Sequence, residues 1–383
     1  MFGFRSLPIK RTPGPSDMSG MGGGRLVGVL AAAVASLTVA GPASAADPAP
    51  ELAATTSAVQ AKNWAAPQIA SVVLAGLMGP DVASFRPDDA LTRAELHAAI
   101  VALGKPHQTP LDPTRIVTMR ELDAQLVAAA GLLPAARAIR LGARAADLAP
   151  IDMLGTETVA RLLGLRINHP QGSENLERAP RQPATRAEAA YSLAKLRTLD
   201  PARVTAIQQL VASFSVPALT DLQREVLTRA LRFVGYPYVF AGMSEKTQKL
   251  WNATAPGNTI TVPGGFDCSG FVWRIYKLQP FDDAPALAAV LRGRTSYAMS
   301  GEVAKPLRID PASLQPADVL FFGTHGPTSK PSEVGHMGIY VGNGWFVHSS
   351  SGGVTLQPLQ GWYATTLAWA RRPLAEAGLG FAA

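Results

Sequence analysis

The sequence predicts two parts of different fold class: an N-terminal all-α module of helix–loop–helix repeats, then a C-terminal α+β domain. Three observations carry this. An amphipathic pattern with a T-R-A-E helix start recurs along the first half of the chain. Beyond residue 217 the texture changes to mixed helix and strand. Within that second part, two β-rich runs flank Gly342-Asn343-Gly344, a hairpin signal that implies an antiparallel pair.

The first residues have the composition of an export signal. Residues 1–25 hold Arg5, Lys10, Arg11 and Arg25 against one acid, Asp17. An apolar run from Leu26 to Ala40 follows, then Ala43-Ser44-Ala45, a small-residue cleavage site. The run is short for a bilayer, so cleavage of residues 1–45 is expected over anchoring, and no later run reaches the length of a membrane span. The expectation is a secreted protein of the cell wall or envelope, without stable membrane insertion. Cleavage would remove four basic residues and one acid, lowering the formal net charge from +7 to +4. So mild an excess, with no long Lys/Arg run, argues against nucleic acid and suits anionic wall polymers. Residues 46–61, rich in Pro, Ala and Thr, read as a linker.

Residues 62–198 carry the repeats. Residues 63–104 and 157–197 each give an amphipathic helix, a polar Pro-containing loop and a second helix opened by T-R-A-E. Thr92 and Thr185 read as N-caps, and Glu95 and Glu188, three residues on, complete a capping box at each start. VTMRELDAQLVAAAGL, within 115–150, partly supplies a third copy, with Thr118 and Glu121 in the capping positions. This region resembles the S-layer homology repeat, in which three such units assemble into one wall-binding module. FRPDDALTRAE, from Phe85 to Glu95, is the best match. The resemblance implies that the T-R-A-E arginines, Arg93 and Arg186, face an anionic cell-wall polysaccharide. A helical connector, 199–216, leads to Thr220 and Asp221, which can cap a helix over LQREVLTRALRFVG ending at Gly235.

The only cysteine, Cys268, stands in FDCSGFVWRIYKL. Phe271, Ile275 and Leu278 fall on one face, so a helix is expected to start at Cys268. Unpaired backbone N–H groups and the helix dipole there favour a thiolate, and the same N–H groups can hold an oxyanion. Taken alone, the residue reads equally as a buried structural cysteine. His336 and His348 lie on the two runs of the hairpin. Unbroken pairing around a two-residue Asn343-Gly344 loop puts them on opposite faces. A three-residue loop, pairing Gly338 with His348, or a bulge of equal effect puts them on one face. Cys268, His336 and His348 then read as nucleophile, base and orienting group. Their spacing fits no short-spaced zinc motif and lacks a fourth ligand, so no metal is expected.

Residues 220–370 resemble an NlpC-type domain, the papain-like cysteine peptidases that trim bacterial peptidoglycan, through PYVFAG, FDCSGFVWRIY, LQPADVLFF and GHMGIYVGNGWFVHSS. The resemblance implies a papain-like α+β fold over 217–373, its nucleophile helix packed on an antiparallel sheet, with 374–383 as a tail. It implies no cofactor, peptidoglycan stem peptides as substrate, and hydrolysis between γ-linked D-glutamate and the following diamino acid. It also implies that Tyr238 lines the site near the oxyanion and that Asp267 and Ser269 receive the peptide's N-terminal amine. By residue chemistry alone, Asp267 and Ser269 serve equally as helix caps. Residues 243–265 depart from the pattern as a long insertion, and Phe240 stands where tryptophan is common. His325, in a Gly/Pro-rich stretch, reads as a loop residue outside the site. A thiol acyltransferase or amidase on another acyl substrate stays open, since a fold and dyad do not fix the substrate. A non-catalytic wall-binding protein is the third reading, disfavoured by the intact trio.

Overall fold

The computed structural model describes residues 63–379 apart from 253, 254 and 256. The export-signal reading of 1–45 and the linker 46–61 lie outside the described residues. The first part is helical: α1 (Ala66–Leu74), α2 (Arg93–Ala102), α3 (Met119–Ala129), α4 (Leu133–Ala145), α5 (Leu154–Leu163), α6 (Arg186–Arg197) and α7 (Pro201–Ala212). Thr92 and Thr118 each form a complete capping box, with Glu95 and Glu121. At α6 only half the box forms. Thr185 accepts from the Glu188 N–H, but the Glu188 carboxylate does not return; it lies 3.5 Å from His169 Nε2.

The three capped starts close a ring. Leu91 N–H donates to Ala184 O, Ala184 N–H to Val117 O and Val117 N–H to Leu91 O, at 2.8, 2.8 and 2.9 Å. Equivalent backbone groups thus satisfy one another around a pseudo-threefold axis, a use for donors and acceptors that would otherwise be buried unpaired. The middle copy contributes α3 alone, because residues 103–118 hold turns and extended backbone where a leading helix would lie.

The ring overturns one expectation about the arginines. Arg186 is buried: its Nε donates to Phe85 O at 2.8 Å, its guanidinium lies 4.7 Å over the Phe85 ring, and it pairs with Glu95. It has no face to offer a wall polymer. Arg93 pairs with Glu121 at 3.0 Å and keeps a side-chain exposure of 31%. Each arginine reaches the cap glutamate of the neighbouring repeat, so the motif staples repeats together from within.

The second part opens with α8 (Asp221–Leu231), boxed by Thr220 and Gln223. It stops at Leu231, short of Gly235, where a φ of +107° turns the chain. Strand β1 (Met243–Ser244) pairs with β4 (Gly265–Phe266), while β2 (Gln248–Trp251) and β3 (Thr259–Val262) form a separate hairpin inside the insertion. Helix α9 (Cys268–Tyr276) follows, then the short α10 (Leu287–Val290) and α11 (Ser296–Gly301). A five-stranded antiparallel sheet completes the part: β5 (Val319–Gly323), β6 (Val334–Gly342), β7 (Trp345–Ser350), β8 (Gly353–Pro358), then α12 (Trp362–Thr366), β9 (Leu367–Arg371) and α13 (Pro373–Glu376). The spatial order is β8-β7-β6-β5-β9, and α9 packs across β6 and β7. Phe271 and Ile275 are buried under it, each worth about 2 kcal/mol. Leu278 lies beyond the helix end and is exposed.

The two parts share one core. The Phe214 ring meets Trp345 edge-on at 5.0 Å, α5 packs on β8, and Arg161 Nη2 donates to Gly235 O at 2.6 Å. Among the described residues, no single helix is long and apolar enough to cross a membrane.

Arg186→Ala strands the Glu95 carboxylate and the Phe85 carbonyl, and is expected to cost roughly 2–3 kcal/mol after allowance for the partial exposure of Glu95. Arg93→Ala is expected to cost under about 1 kcal/mol, as for other half-exposed pairs. Thermal unfolding of both variants beside the parent ranks them; equal losses would contradict the staple.

Candidate active site

The chain reaches the thiol through a tightly held approach. Tyr238 bridges to Phe266, and Val239 N–H donates to Phe266 O, so PYVFAG lies against the strand leading into Asp267. Asp267 is the N-cap of α9, accepting from the Gly270 N–H. Gly270 has no alternative: a Cβ there would sit 2.0 Å from Gly242 O. Ser269 Oγ donates to Asp267 Oδ1 at 3.0 Å. Both are clamped by Arg294, whose Nη1 reaches Ser269 Oγ at 2.7 Å and Asp267 Oδ1 at 3.2 Å, with Nη2 on Asp267 Oδ2 at 3.3 Å. Asp267 and Ser269 therefore serve as cap and ion-pair partners here, and Arg294 is a site residue that sequence reasoning missed. Its arginine-rich context, RGRTS, gave no spacing signal toward Cys268.

The histidines meet through a bulge. The turn is the two-residue Asn343-Gly344, with φ of 47° and 78°, the type I′ signature, so the three-residue loop does not form. Gly342 pairs with Trp345, but Tyr340 pairs with Phe346 and Ile339 with Val347. Val341 is the extra residue, and beyond it Gly338 stands opposite His348, where a Cβ would come within 2.9 Å of the His348 Cβ. Both histidines then share one face of the sheet, the one that carries Phe322, Phe346 and Tyr363. His336 Nε2 lies 2.8 Å from His348 Nδ1, rings edge-to-face at 82°.

The surroundings set the proton positions. His348 is fully buried, stacked on Phe346 at 4.4 Å and flanked by Tyr363 at 4.9 Å. Burial, then the neighbouring His336, holds it well below the ordinary histidine range. The Gln357 side chain favours a proton on it without closing a full hydrogen bond. His336 keeps an edge exposed, yet burial still lowers it to about 4. With both rings neutral, the tautomer in which His336 Nε2–H donates to His348 Nδ1 leaves His336 Nδ1 free to accept a thiol proton. The backbone N–H groups of Met337, next to His336, and of Ser269 interact with Cys268 and favour its anion. They lose to burial and the Asp267 charge, which push the thiol up to about 12. Burial thus works against the thiolate that a helix start favours, and against a charged imidazole on His336.

The helical part reaches this site. Asn168 Oδ1 accepts from Tyr238 N–H at 3.1 Å, and the 3-10 turn Glu174–Leu176 packs against β3 of the insertion. Burial, followed by Cys268, Asp267 and Glu174, raises the Tyr238 hydroxyl well above its usual range, so it stays a donor. Asn168, Glu174, Tyr363 and Gln357 escaped sequence reading because each arrives from a distant element. His325 lies outside the site, exposed and 3.3 Å from Glu333. Arg93 and Arg186 are in the repeat ring, away from the thiol. No group of three or more His, Cys, Asp or Glu among the described residues is arranged to hold a metal.

A thiol at a helix start beside the Met337 backbone, with an imidazole pair on the antiparallel sheet, is the residue set of the cysteine-hydrolase class. Residues 235–372 match the family model "NlpC/P60 family", and over this stretch the chain carries an NlpC/P60 domain. It is similar to a probable peptidoglycan endopeptidase, LytE, of Bacillus subtilis: 32% identity over 139 residues, 36% of this chain and 30% of the relative. It is also similar to the bifunctional muramidase/DL-endopeptidase CwlT of Bacillus subtilis, 28% identical over 37% of this chain and 34% of the relative. The chain thus spans about a third of the length of these relatives. A solved NlpC/P60 family protein from Bacillus cereus aligns at 25% identity over 43% of each chain, with a TM-score of 0.29.

Alkylation of Cys268 by iodoacetamide is expected to rise steeply only in the alkaline range, as for a high-pKa thiol. A rate already on its plateau below pH 8 would show an ion pair in place of the neutral dyad.

Proposed function

We propose that the protein is a peptidoglycan endopeptidase of the cell envelope, cutting stem-peptide amide bonds by cysteine catalysis. The observation that carries the reading is the pairing of His336 with His348 at 2.8 Å, with Cys268 at its helix start held against the backbone N–H of Met337, next to His336. The relatives named as endopeptidases support the substrate class.

In the proposed cycle the Cys268 proton passes to His336 Nδ1 as the sulfur attacks the carbonyl carbon. Attack and proton transfer go together, because neither group is charged at rest. The oxyanion is received by backbone N–H at the start of α9 and by the Tyr238 hydroxyl. His348 accepts from Nε2 and stabilises the imidazolium that forms. That imidazolium then protonates the departing amine, leaving a thioester. Water, deprotonated by His336, attacks the thioester carbonyl and releases the acid and the thiol. The bond proposed is that between γ-linked D-glutamate and the diamino acid. We further take the helical part to be an S-layer-homology-like module that holds the exported enzyme at the wall. Its retention surface cannot include Arg186, which is buried.

The test is a digest of purified peptidoglycan by wild type beside Cys268→Ala, read by mass spectrometry. New termini at the D-glutamyl–diamino acid bond, absent with Cys268→Ala, are the expected result; fragments that persist with the variant would remove the mechanism. His348→Ala is expected to lower kcat by roughly 100-fold or more, with His348→Gln recovering part of it.

The pH profile follows from His336. Its pKa is depressed to about 4, so the base form is present above that value and is lost as pH falls through it. The acid limb of kcat/KM is therefore expected near pH 4. A limb at or above the usual histidine value of 6.5 would contradict the neutral dyad.

A further inference from the structure

A groove of about 1110 Å³ runs along the seam between the helical part and the end of the sheet. Its helical wall presents Tyr191, Lys195 and Arg203, and its sheet wall presents Gln357, Trp362 and Tyr363. Basic residues outnumber acids on the lining. Lys195 and Arg203 are exposed, and among the described residues neither has a carboxylate within ion-pair distance. Asp200 is the acid on the lining, and its carboxylate is occupied in capping α7, accepting from Ala202 N–H at 2.8 Å. Arg166 also lines the groove, but it is ion-paired with buried Asp123 at 3.4 Å and offers the groove no free charge.

Aromatic surface flanks these cations. The Lys195 ammonium stands 5.8 Å over the Tyr191 ring, and half-buried Trp362 meets Tyr363 edge-on at 5.0 Å. Tyr363 belongs to groove and site alike, since its ring lies 4.9 Å from His348 and 5.9 Å from His336. A groove this open, with cations between flat apolar rings, matches an extended, hydroxylated and acidic chain. A purely peptidic acid would leave the two rings without a partner, and a neutral sugar chain would leave the cations without one.

We propose that this groove binds an anionic glycan, Lys195 and Arg203 taking its carboxylates or phosphates and Tyr191 and Trp362 its sugar faces. This rests on reading the chain as a wall enzyme. It moves polymer recognition from the T-R-A-E arginines to the seam, one ring away from the reacting histidines.

The test uses the full chain carrying Cys268→Ala, so that no turnover erodes the support. Calorimetry with polygalacturonate oligomers is expected to show binding that weakens with salt, and chitin oligomers of equal length to show none. Lys195→Gln with Arg203→Gln, two exposed positions, is expected to weaken it roughly tenfold or more. Trp362→Ala is expected to weaken it at high salt as well as low. Cosedimentation with purified cell-wall sacculi, before and after mild-acid removal of attached polymers, separates the sources. Variant-sensitive binding lost on stripping assigns the acid groups to attached polymer; binding retained assigns them to peptidoglycan itself. Failure of the parent to bind polygalacturonate and sacculi overturns the proposal. So does unchanged affinity in the double variant with a parental thermal transition. Because nothing here reads turnover, a chain that binds but does not cleave sinks the endopeptidase reading and leaves the groove standing.

Discussion

Val341 is the extra residue in the ladder between β6 and β7, and the placement of both histidines depends on it. Side chains alternate along a strand, so a two-residue turn with unbroken pairing would send His336 and His348 to opposite faces. A bulge reverses that parity for everything beyond it. What holds the bulge is burial: Val341 is fully enclosed, and expelling it to restore regular pairing would forgo roughly 2 kcal/mol of apolar burial. The same shift sets glycine opposite His348, giving the ring room to lie flat on Phe346. Core packing at one residue thereby fixes the hydrogen bond of a histidine three pairs away.

Burial also decides the charge state of the site, against the pull of the helix start. The N–H groups of Ser269 and Met337 favour a thiolate, but α9 has only nine residues and its cap is an anion. The Asp267 charge opposes a second negative charge one residue away, and Arg294 offsets it only in part while serving Ser269 as well. The same dry packing that orders the imidazoles lowers their basicity. Precision of geometry and ease of ionisation are set by one packing arrangement and trade against each other. In the proposed cycle a neutral dyad resolves the conflict, because it needs charge separation only while the carbonyl is being attacked.

Much of this was legible in the sequence, where the signal is local. Thr92, Thr118 and Thr220 cap as T-x-x-E and T-x-x-Q patterns predict, and Cys268 opens its helix behind an aspartate. The need for one face to hold both histidines predicted a loop or bulge, though not which. Long-range partnerships were not legible. Arg186 reads as a surface arginine on a first helical turn, and only the ring of repeats turns it inward onto Phe85. At Thr185 only half the box forms, and the Glu188 carboxylate lies 3.5 Å from buried His169 of a distant loop. Arg294, Asn168 and Tyr363 reach the site from elements with no periodic relation to Cys268.

The seam between the parts explains how residues so far apart in sequence can share one site. Arg161 is almost fully buried, bound to Glu157 Oε2 at 2.6 Å and to Gly235 O, with Asp123 3.9 Å away. Separating the parts would strip the Gly235 carbonyl from Arg161 and uncover the α5–β8 contact, which costs far more than bending an exposed linker. Asp123, pushed up to about 7 by burial, lies on the helical side of the same cluster. The insertion is fixed at its other end by Glu245, bound to Arg274 of α9 at 2.8 Å and held at about 2 by that guanidinium. With both walls anchored, Asn168 and Glu174 stand at set positions beside Tyr238. A helical module joined this way supplies part of the wall around Tyr238.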